Sequence, residues 1–286
     1  MCKKIETDIN KKYKDNVFCL LFDNEQKAVE LYNAIKGTNY KPEDIIMNTL
    51  QNPIFVGLQN DISFTVEDKF VILIEHQSSI NPNMPLRFLL YIAQIYELLI
   101  EKDSIYREKL MSIETPEFYV MYNGKDEYPE KVTLQLSDLF KVKDGNNNLE
   151  LTVTVYNVNK GRNEKILERS RTLDGYAKFI AKAREYTNGG FEPNEAVSRA
   201  VKDCIGDNIL REFLEKHGGD VVSILSREFN LDDALRVRGE EKAEDRAEKI
   251  AEKMLELGTP VDFIINVTGL SIEKLEKMAK KHTKNK

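Results

Sequence analysis

The chain has 286 residues, with 42 Lys and Arg against 48 Asp and Glu, a formal net charge of -6 and no Trp. Its length fits one large domain, or one domain with a small appendage. The acidic balance excludes a uniformly basic nucleic-acid coat but permits a local basic patch, because a total averages over faces.

Apolar residues make up 41% and charged residues 31%, a composition that suits a soluble globular protein. Cys2, Cys19 and Cys204 lie too far apart for a zinc knuckle or a redox pair. Their odd number in a Lys/Glu-rich chain points to reduced thiols and a cytoplasmic location. The first residues stay polar through Lys14, so no signal peptide is expected. No stretch reaches the ~18 apolar residues that span a bilayer, so a membrane is not an expected partner.

Residues 15 to 36 read as helix: Asp23 and Asn24 precede Glu25, and Ala28, Leu31 and Ile35 recur at helical spacing before Gly37. From Ile45 to Gln77 the period shifts. Ile54, Phe55, Val56, Leu58, Ile62, Phe64 and Val66 read as extended chain. Phe70 to Ile74 is a continuous apolar run, typical of a strand buried on both faces. After Asn81 to Pro85, Pro85 suits the first turn of a helix. Met84, Phe88, Tyr91, Ile92, Ile95, Leu98 and Leu99 give that helix a wide apolar face. Phe118 to Tyr122 is a further strand, stopped at Asn123-Gly124, and Leu149 to Val158 alternates as another.

Beyond Gly161 the chain is mostly helical. The order of elements implies an α/β core with an α-helical extension. Residues 236 to 257 carry an acidic stripe (Glu240, Glu244, Glu248, Glu252, Glu256) and a basic one (Lys242, Arg246, Lys249, Lys253) beside a thin apolar seam. At ~1.5 Å per residue such a helix is ~33 Å long. It reads either as a solvated linker or as a self-pairing coiled segment. Past Gly258, two short helices turn at Gly269 to Ser271, with Val261, Ile264, Ile265, Ile272, Leu275 and Met278 as their apolar positions. They resemble a helix-turn-helix, and Lys274, Lys277, Lys280 and Lys281 make DNA contact one reading and a plain helical hairpin the other. The expected division is 12–160 for the core, 161–235 for a helical extension, 236–257 for the charged helix and 258–286 for the tail.

No phosphate-binding loop, dinucleotide fingerprint, HExxH, GxSxG or EF-hand loop is present. The informative stretch is Asn60-Asp61-Ile62-Ser63 followed by Ile74-Glu75-His76-Gln77. Glu75 ends a buried strand, where a carboxylate is costly unless it is paired or bound to metal. Glu75 and Gln77 share one face and His76 takes the other. If the hairpin loop is the three residues 67 to 69, Val66 pairs with Phe70. Asp61 then lies opposite Glu75 and Gln59 opposite Gln77. A loop one residue shorter or longer puts Asp61 on the wrong face. Two facing carboxylates make an oxygen-rich pocket of the kind Mg²⁺ prefers. The bland alternative is a hairpin end with ordinary polar residues.

An Asp, a hairpin and then apolar-Glu-x-(Lys or Gln) at a strand end resembles the PD-(D/E)XK nuclease core. The longer stretch Ile74 to Ser79, with Asn83-Met84-Pro85-Leu86-Arg87 and Tyr91, resembles the Rpn family of recombination-promoting nucleases, also labelled transposases. Phe118 to Gly124 is similar to that family's next segment, and Lys14-Asp15-Asn16-Val17-Phe18 to its opening motif, where lysine departs from the usual histidine. The resemblance implies a restriction-endonuclease-like mixed sheet flanked by helices, and a Mg²⁺- or Mn²⁺-dependent DNA endonuclease. It further implies Asp61 and Glu75 as metal ligands, with the backbone carbonyl of His76 as a third. Gln77 stands where many nucleases have lysine, which leaves charge stabilisation to Arg87. Tyr91 lies one turn on, at a spacing similar to the Gln-x-x-x-Tyr helix of related nucleases. Core packing for Tyr91 and a surface ion pair for Arg87 remain open. Glu30 is a further candidate carboxylate.

Two other readings stand beside the nuclease: a DNA-binding protein that does not cut, and a helical interaction protein with a vestigial site. Double-strand cutting by a single-site nuclease favours a homodimer. A basic rim for DNA requires Lys3 to Lys14, Arg162 to Arg184 and Lys274 to Lys286 to converge near Asp61.

Overall fold

The computed structural model describes residues 16–47, 61–67, 70–101, 103–143, 145, 148–257, 259–275 and 278, and for 232–245 and 256 the backbone course alone. Expectations for Lys3 to Asp15, for Ile54 to Gln59 and for the lysines from Lys277 onward lie outside the described residues. Contacts divide the chain into two compact units, 1–226 and 227–286.

The expected first helix is two. Helix α1 (Val17–Leu21) is capped by Asn16, whose side chain accepts from the Phe18 amide. Helix α2 (Glu25–Lys36) begins afresh at Asn24, which is extended and accepts from the Lys27 amide. An N-cap residue cannot also continue the preceding helix, so Asp23-Asn24 separates the two. Gly37, with φ 73°, closes α2 in the left-handed conformation.

Six strands follow. They are β1 (Ile45–Met47), β2 (Ile62–Val66), β3 (Phe70–Gln77), β4 (Thr115–Tyr122), β5 (Lys131–Gln135) and β6 (Thr152–Asn157). The sheet order is β1-β2-β3-β4-β6-β5. β3, β4 and β6 run parallel, while β1, β2 and β5 add antiparallel pairs at the two sides. Strand β5 was not anticipated. Its Val132 and Leu134 are only half-buried on an edge, so its period-2 signal is short and weak.

Helix α3 (Met84–Leu99), opened by Pro85, covers one face of the sheet. There Phe88, Tyr91 and Ile95 pack with Val71, Leu73, Phe118, Val120, Val153 and Val155. The alternate residues of β3, Ile72 and Ile74, are buried on the opposite face, as a doubly covered strand requires. On that face Phe18 of α1 stacks with His76, and Tyr32 of α2 meets Phe64 edge-on. Helices α4 (Glu164–Arg169) and α5 (Arg171–Asn188) pack against α2, and α6 (Pro193–Gly206) packs against α5.

Helix α7 runs unbroken from Arg211 to Glu256, 46 residues. The boundary expected between 235 and 236 therefore falls inside one helix. In the second unit, Ala251 of α7 joins Ile264 of α8 (Val261–Thr268), Leu270 and Leu275 in a small core edged by Ala247, Met254 and Met278. Of the seam, Ala247, Ala251 and Met254 thus pack against the chain's own tail, while Ile250 stays 48% exposed. Ile272, expected inward, is 56% exposed, because the left-handed turn at Gly269 brings Leu270 into the core instead. Lys274 pairs with Glu248. Among the described residues, no helix is long and apolar enough to cross a membrane.

Candidate functional site

The β2–β3 hairpin has the register that the three-residue loop demands: Val66 pairs with Phe70 and Ile62 with Ile74. Asp61, one residue before β2, therefore stands across from Glu75 on the face covered by α3. The His76 amide donates to Asp61 Oδ2 at 2.6 Å. A strand residue's N–H and C=O point to the same edge. The His76 carbonyl therefore also faces the Asp61 side. The Gln77 carbonyl faces the other way and accepts from the Asn123 amide at 2.9 Å.

Glu75 is 2% exposed. Burial and then the Asp61 carboxylate push its carboxyl well above the usual range, against the pull of Arg87. Burial also raises Asp61, opposed by the hydrogen bonds from the His76 amide and the Cys19 thiol and by Arg87. Two facing carboxylates cannot both ionise cheaply without a cation.

Part of that cation is built in. Pro85 starts α3 so that Arg87, in its first turn, reaches back to β3. Arg87 donates to Glu75 Oε2 at 3.0 Å and to the Tyr91 hydroxyl at 2.8 Å. Tyr91 is fully buried among core side chains and meets the site through this guanidinium and Glu75. Packing and positioning are thus both true of it. Gln77 lies on the Glu75 face and donates to Met84 Sδ.

Glu75 Oε1 is buried and accepts no hydrogen bond among the described residues. That oxygen, Asp61 and the His76 carbonyl form an oxygen-only donor set. Such a set fits a hard divalent cation that keeps several waters. It does not fit a soft metal cage, and no group of three His, Cys, Asp or Glu able to hold an ion exists among the described residues.

The His76 ring is on the opposite face. It stacks on Phe18, and its nitrogens meet Asn16 Nδ2 at 3.5 Å and the Tyr176 hydroxyl at 3.0 Å. Burial, with Arg184 nearby, lowers its pKa to about 3, so it is neutral at physiological pH. Asn16 and Tyr176 were not identified from sequence. Only the Lys14 to Phe18 motif hinted at the first, and no local pattern marks the second.

Glu30 is not part of the site. Its carboxylate accepts from Ser170 Oγ, the Thr172 amide and Thr172 Oγ1, closing the N-terminus of α5. An acidic side chain at a helix start has this use without any metal.

The basic rim is followed only in its middle segment, and there much of the charge is engaged. Arg184 bonds the carbonyls of Asn123 and Gly124, Lys178 pairs with Asp174, and Lys182 with Asp203 and Asp207. A cavity of about 730 Å³ lies elsewhere, between the starts of α5 and α7. Its lining mixes Arg169 and Arg171 with Glu30, Asp174 and Asp207, so it presents no single charge.

Residues 58–185 match a family model described as "Putative transposase, YhgA-like". No curated protein and no solved structure matches the chain.

Proposed function

We propose, from the match of residues 58–185 to a YhgA-like transposase model, that the protein is a Mg²⁺- or Mn²⁺-dependent DNA endonuclease on a PD-(D/E)XK-type core. The observation that carries this reading is the pairing of half-buried Asp61 with buried Glu75 at the end of β3, where Glu75 Oε1 lacks a hydrogen-bond partner among the described residues.

Asp61, Glu75 and the His76 carbonyl would hold the cation. When bound, a divalent cation supplies charge neutralisation on a non-bridging phosphate oxygen and lowers the pKa of the attacking water. The chain's own residues do the rest. The Asp61 and Glu75 carboxylates stay anchored by the His76 amide and by Arg87. The Arg87 side chain, 36% exposed, keeps an open flank from which to offset charge developing on the phosphate. Tyr91 fixes that guanidinium. Gln77, a neutral amide, orients water but cannot take its proton. Water then displaces one phosphodiester oxygen in line, giving a phosphomonoester and a hydroxyl end. Cutting both strands calls for two copies of the chain. The buried thiols of Cys19 and Cys204, neither of them in a disulfide, accord with a reducing, cytoplasmic setting.

Supercoiled plasmid is the test substrate, with Mg²⁺ or Mn²⁺ and EDTA controls. Asp61→Ala should lose at least the ~100-fold that even an outer-shell partner of a metal can be worth. Equal cleavage by wild type and Asp61→Ala overturns the assignment. DNA binding that weakens steeply with salt, without cleavage, leaves a non-cutting DNA-binding protein. No DNA affinity at all leaves the helical interaction protein.

A further inference from the structure

The geometry points to His76 as a positioning residue: its imidazole, on the far side of the sheet from the carboxylates, ties the end of β3 to α1 and α5 and so fixes the backbone that holds Asp61. This rests in part on the proposed nuclease reading, because the positioned backbone is the one assigned to the cation.

The hydrogen-bond network sets the ring's state step by step. Asn16 Oδ1 accepts from the Phe18 amide at 2.8 Å as the cap of α1. That choice turns Nδ2 of Asn16 toward His76 Nδ1, 3.5 Å away. An amide NH₂ only donates, so Nδ1 must accept. The proton of the neutral ring is then on Nε2, which donates to the Tyr176 hydroxyl oxygen at 3.0 Å. Phe18 stacks flat on the ring at 5.0 Å, and Tyr176 meets it edge-on at 5.5 Å. The ring is therefore held in its plane by stacking and along its long axis by two hydrogen bonds.

The same residue's amide donates to Asp61 Oδ2 at 2.6 Å, and its carbonyl faces that edge too. Releasing the imidazole from its clamp leaves the His76 backbone free to shift on the Asp61 edge. Asp61 then loses its donor and the third oxygen changes direction. Pairing with β4 continues through Gln77, but on the Asp61 edge β2 stops opposite Ile74. The far-side clamp thus supplies order on the edge where the ladder has ended.

Two readouts on the full-length protein test this. The first is residue-resolved amide hydrogen exchange. Tyr176→Phe, which keeps the ring but removes the hydroxyl, should speed exchange at His76 by about tenfold relative to Ile72 in the middle of β3. His76→Phe should do the same at position 76. His76→Gln, which retains a donor near the Nε2 position, should restore most of the protection. General destabilisation would instead move both amides together. The second readout is Mn²⁺ affinity by calorimetry, expected to fall ~10- to 100-fold in Tyr176→Phe and His76→Phe, as for outer-shell partners of metal ligands. Unchanged exchange at His76 in Tyr176→Phe overturns the proposal, whatever the metal does. Wild-type protein that binds no Mn²⁺ defeats the nuclease reading instead, and the exchange result alone then decides for or against the clamp.

Discussion

Arg87 and Glu75 meet at 3.0 Å with very different exposures, the carboxylate side chain at 3% and the guanidinium side chain at 36%. The difference predicts an asymmetric response to removing either partner. Arg87→Met leaves Glu75 buried beside Asp61 without its counter-ion. The variant should lose about 1–3 kcal/mol, with protonation of the carboxyl limiting the loss. Glu75→Gln leaves a half-solvated guanidinium that water can serve, and should cost less. Urea denaturation of both variants without added metal measures this. Equal losses would mean that burial of Glu75 does not govern the pair.

Glu30 gives a pH dependence with a definite sign. Burial pushes its carboxyl up, but hydrogen bonds from Thr172 and Ser170, with Lys27 nearby, bring it below the ordinary 4.5. A depressed native pKa stabilises the fold above the unfolded value, and that stability fades as pH falls through the native one. Glu30→Gln should therefore cost about 1–2 kcal/mol at pH 7. The gap from wild type should narrow once the pH drops below the ordinary carboxyl range. Paired denaturation curves at neutral and acidic pH check it. A gap that widens in acid would contradict the depressed pKa.

The site and the helix caps differ in how legible they were. Asp61 opposite Glu75 follows from counting, because β pairing has a period of two and only an odd loop joins the two carboxylates on one face. The apolar run at 70–74 and Pro85 similarly fix β3 and the start of α3 from local pattern. The helix-start role of Glu30 was not legible because its partners, Ser170 and Thr172, are some 140 residues away and no spacing rule connects them. His76 with Tyr176 is the same case: a period-2 argument says which face the ring takes, not what waits there. Strand β5 and the unbroken α7 were missed for other reasons. The first is an edge strand with weak alternation, and the second continues through Gly218 and Gly219, residues of low helix propensity. A Cβ at Gly218 would make only ordinary contact with Val201 of α6, and one at Gly219 would meet nothing within 4 Å, so packing does not call for glycine at either position.

Gly124 offers a test of how tightly the end of β4 supports that of β3. A Cβ built at Gly124 would collide with the Ser78 carbonyl oxygen and the Tyr122 hydroxyl. The Ser78 contact is with backbone, so no side-chain rotation relieves it. Gly124→Ala should destabilise by about 1–3 kcal/mol. It should also lower plasmid cleavage beyond what the loss of folded protein explains, because the displaced strand segment carries Glu75 to Gln77. Activity that tracks folded fraction alone would show that the two strand ends are not mechanically linked.

Gln77 and Arg87 together test where the catalytic positive charge resides. Gln77 shares the Glu75 face of β3, two residues on, and touches Met84 at the start of α3. Arg87 reaches Glu75 from that same helix turn. If Arg87 supplies the charge that many nucleases take from a strand lysine, Arg87→Met should cut cleavage by about 10²-fold, the scale for removing one preorganised donor. Gln77→Lys alone should change little, because the charge is already present. In the double variant the lysine ammonium replaces the missing guanidinium from the opposite element, and at least about tenfold of the loss should return. Rates are compared at saturating Mg²⁺, with denaturation curves to confirm that each variant is folded. A folded double variant no faster than Arg87→Met would confine Arg87 to holding Glu75 and remove it from the phosphate.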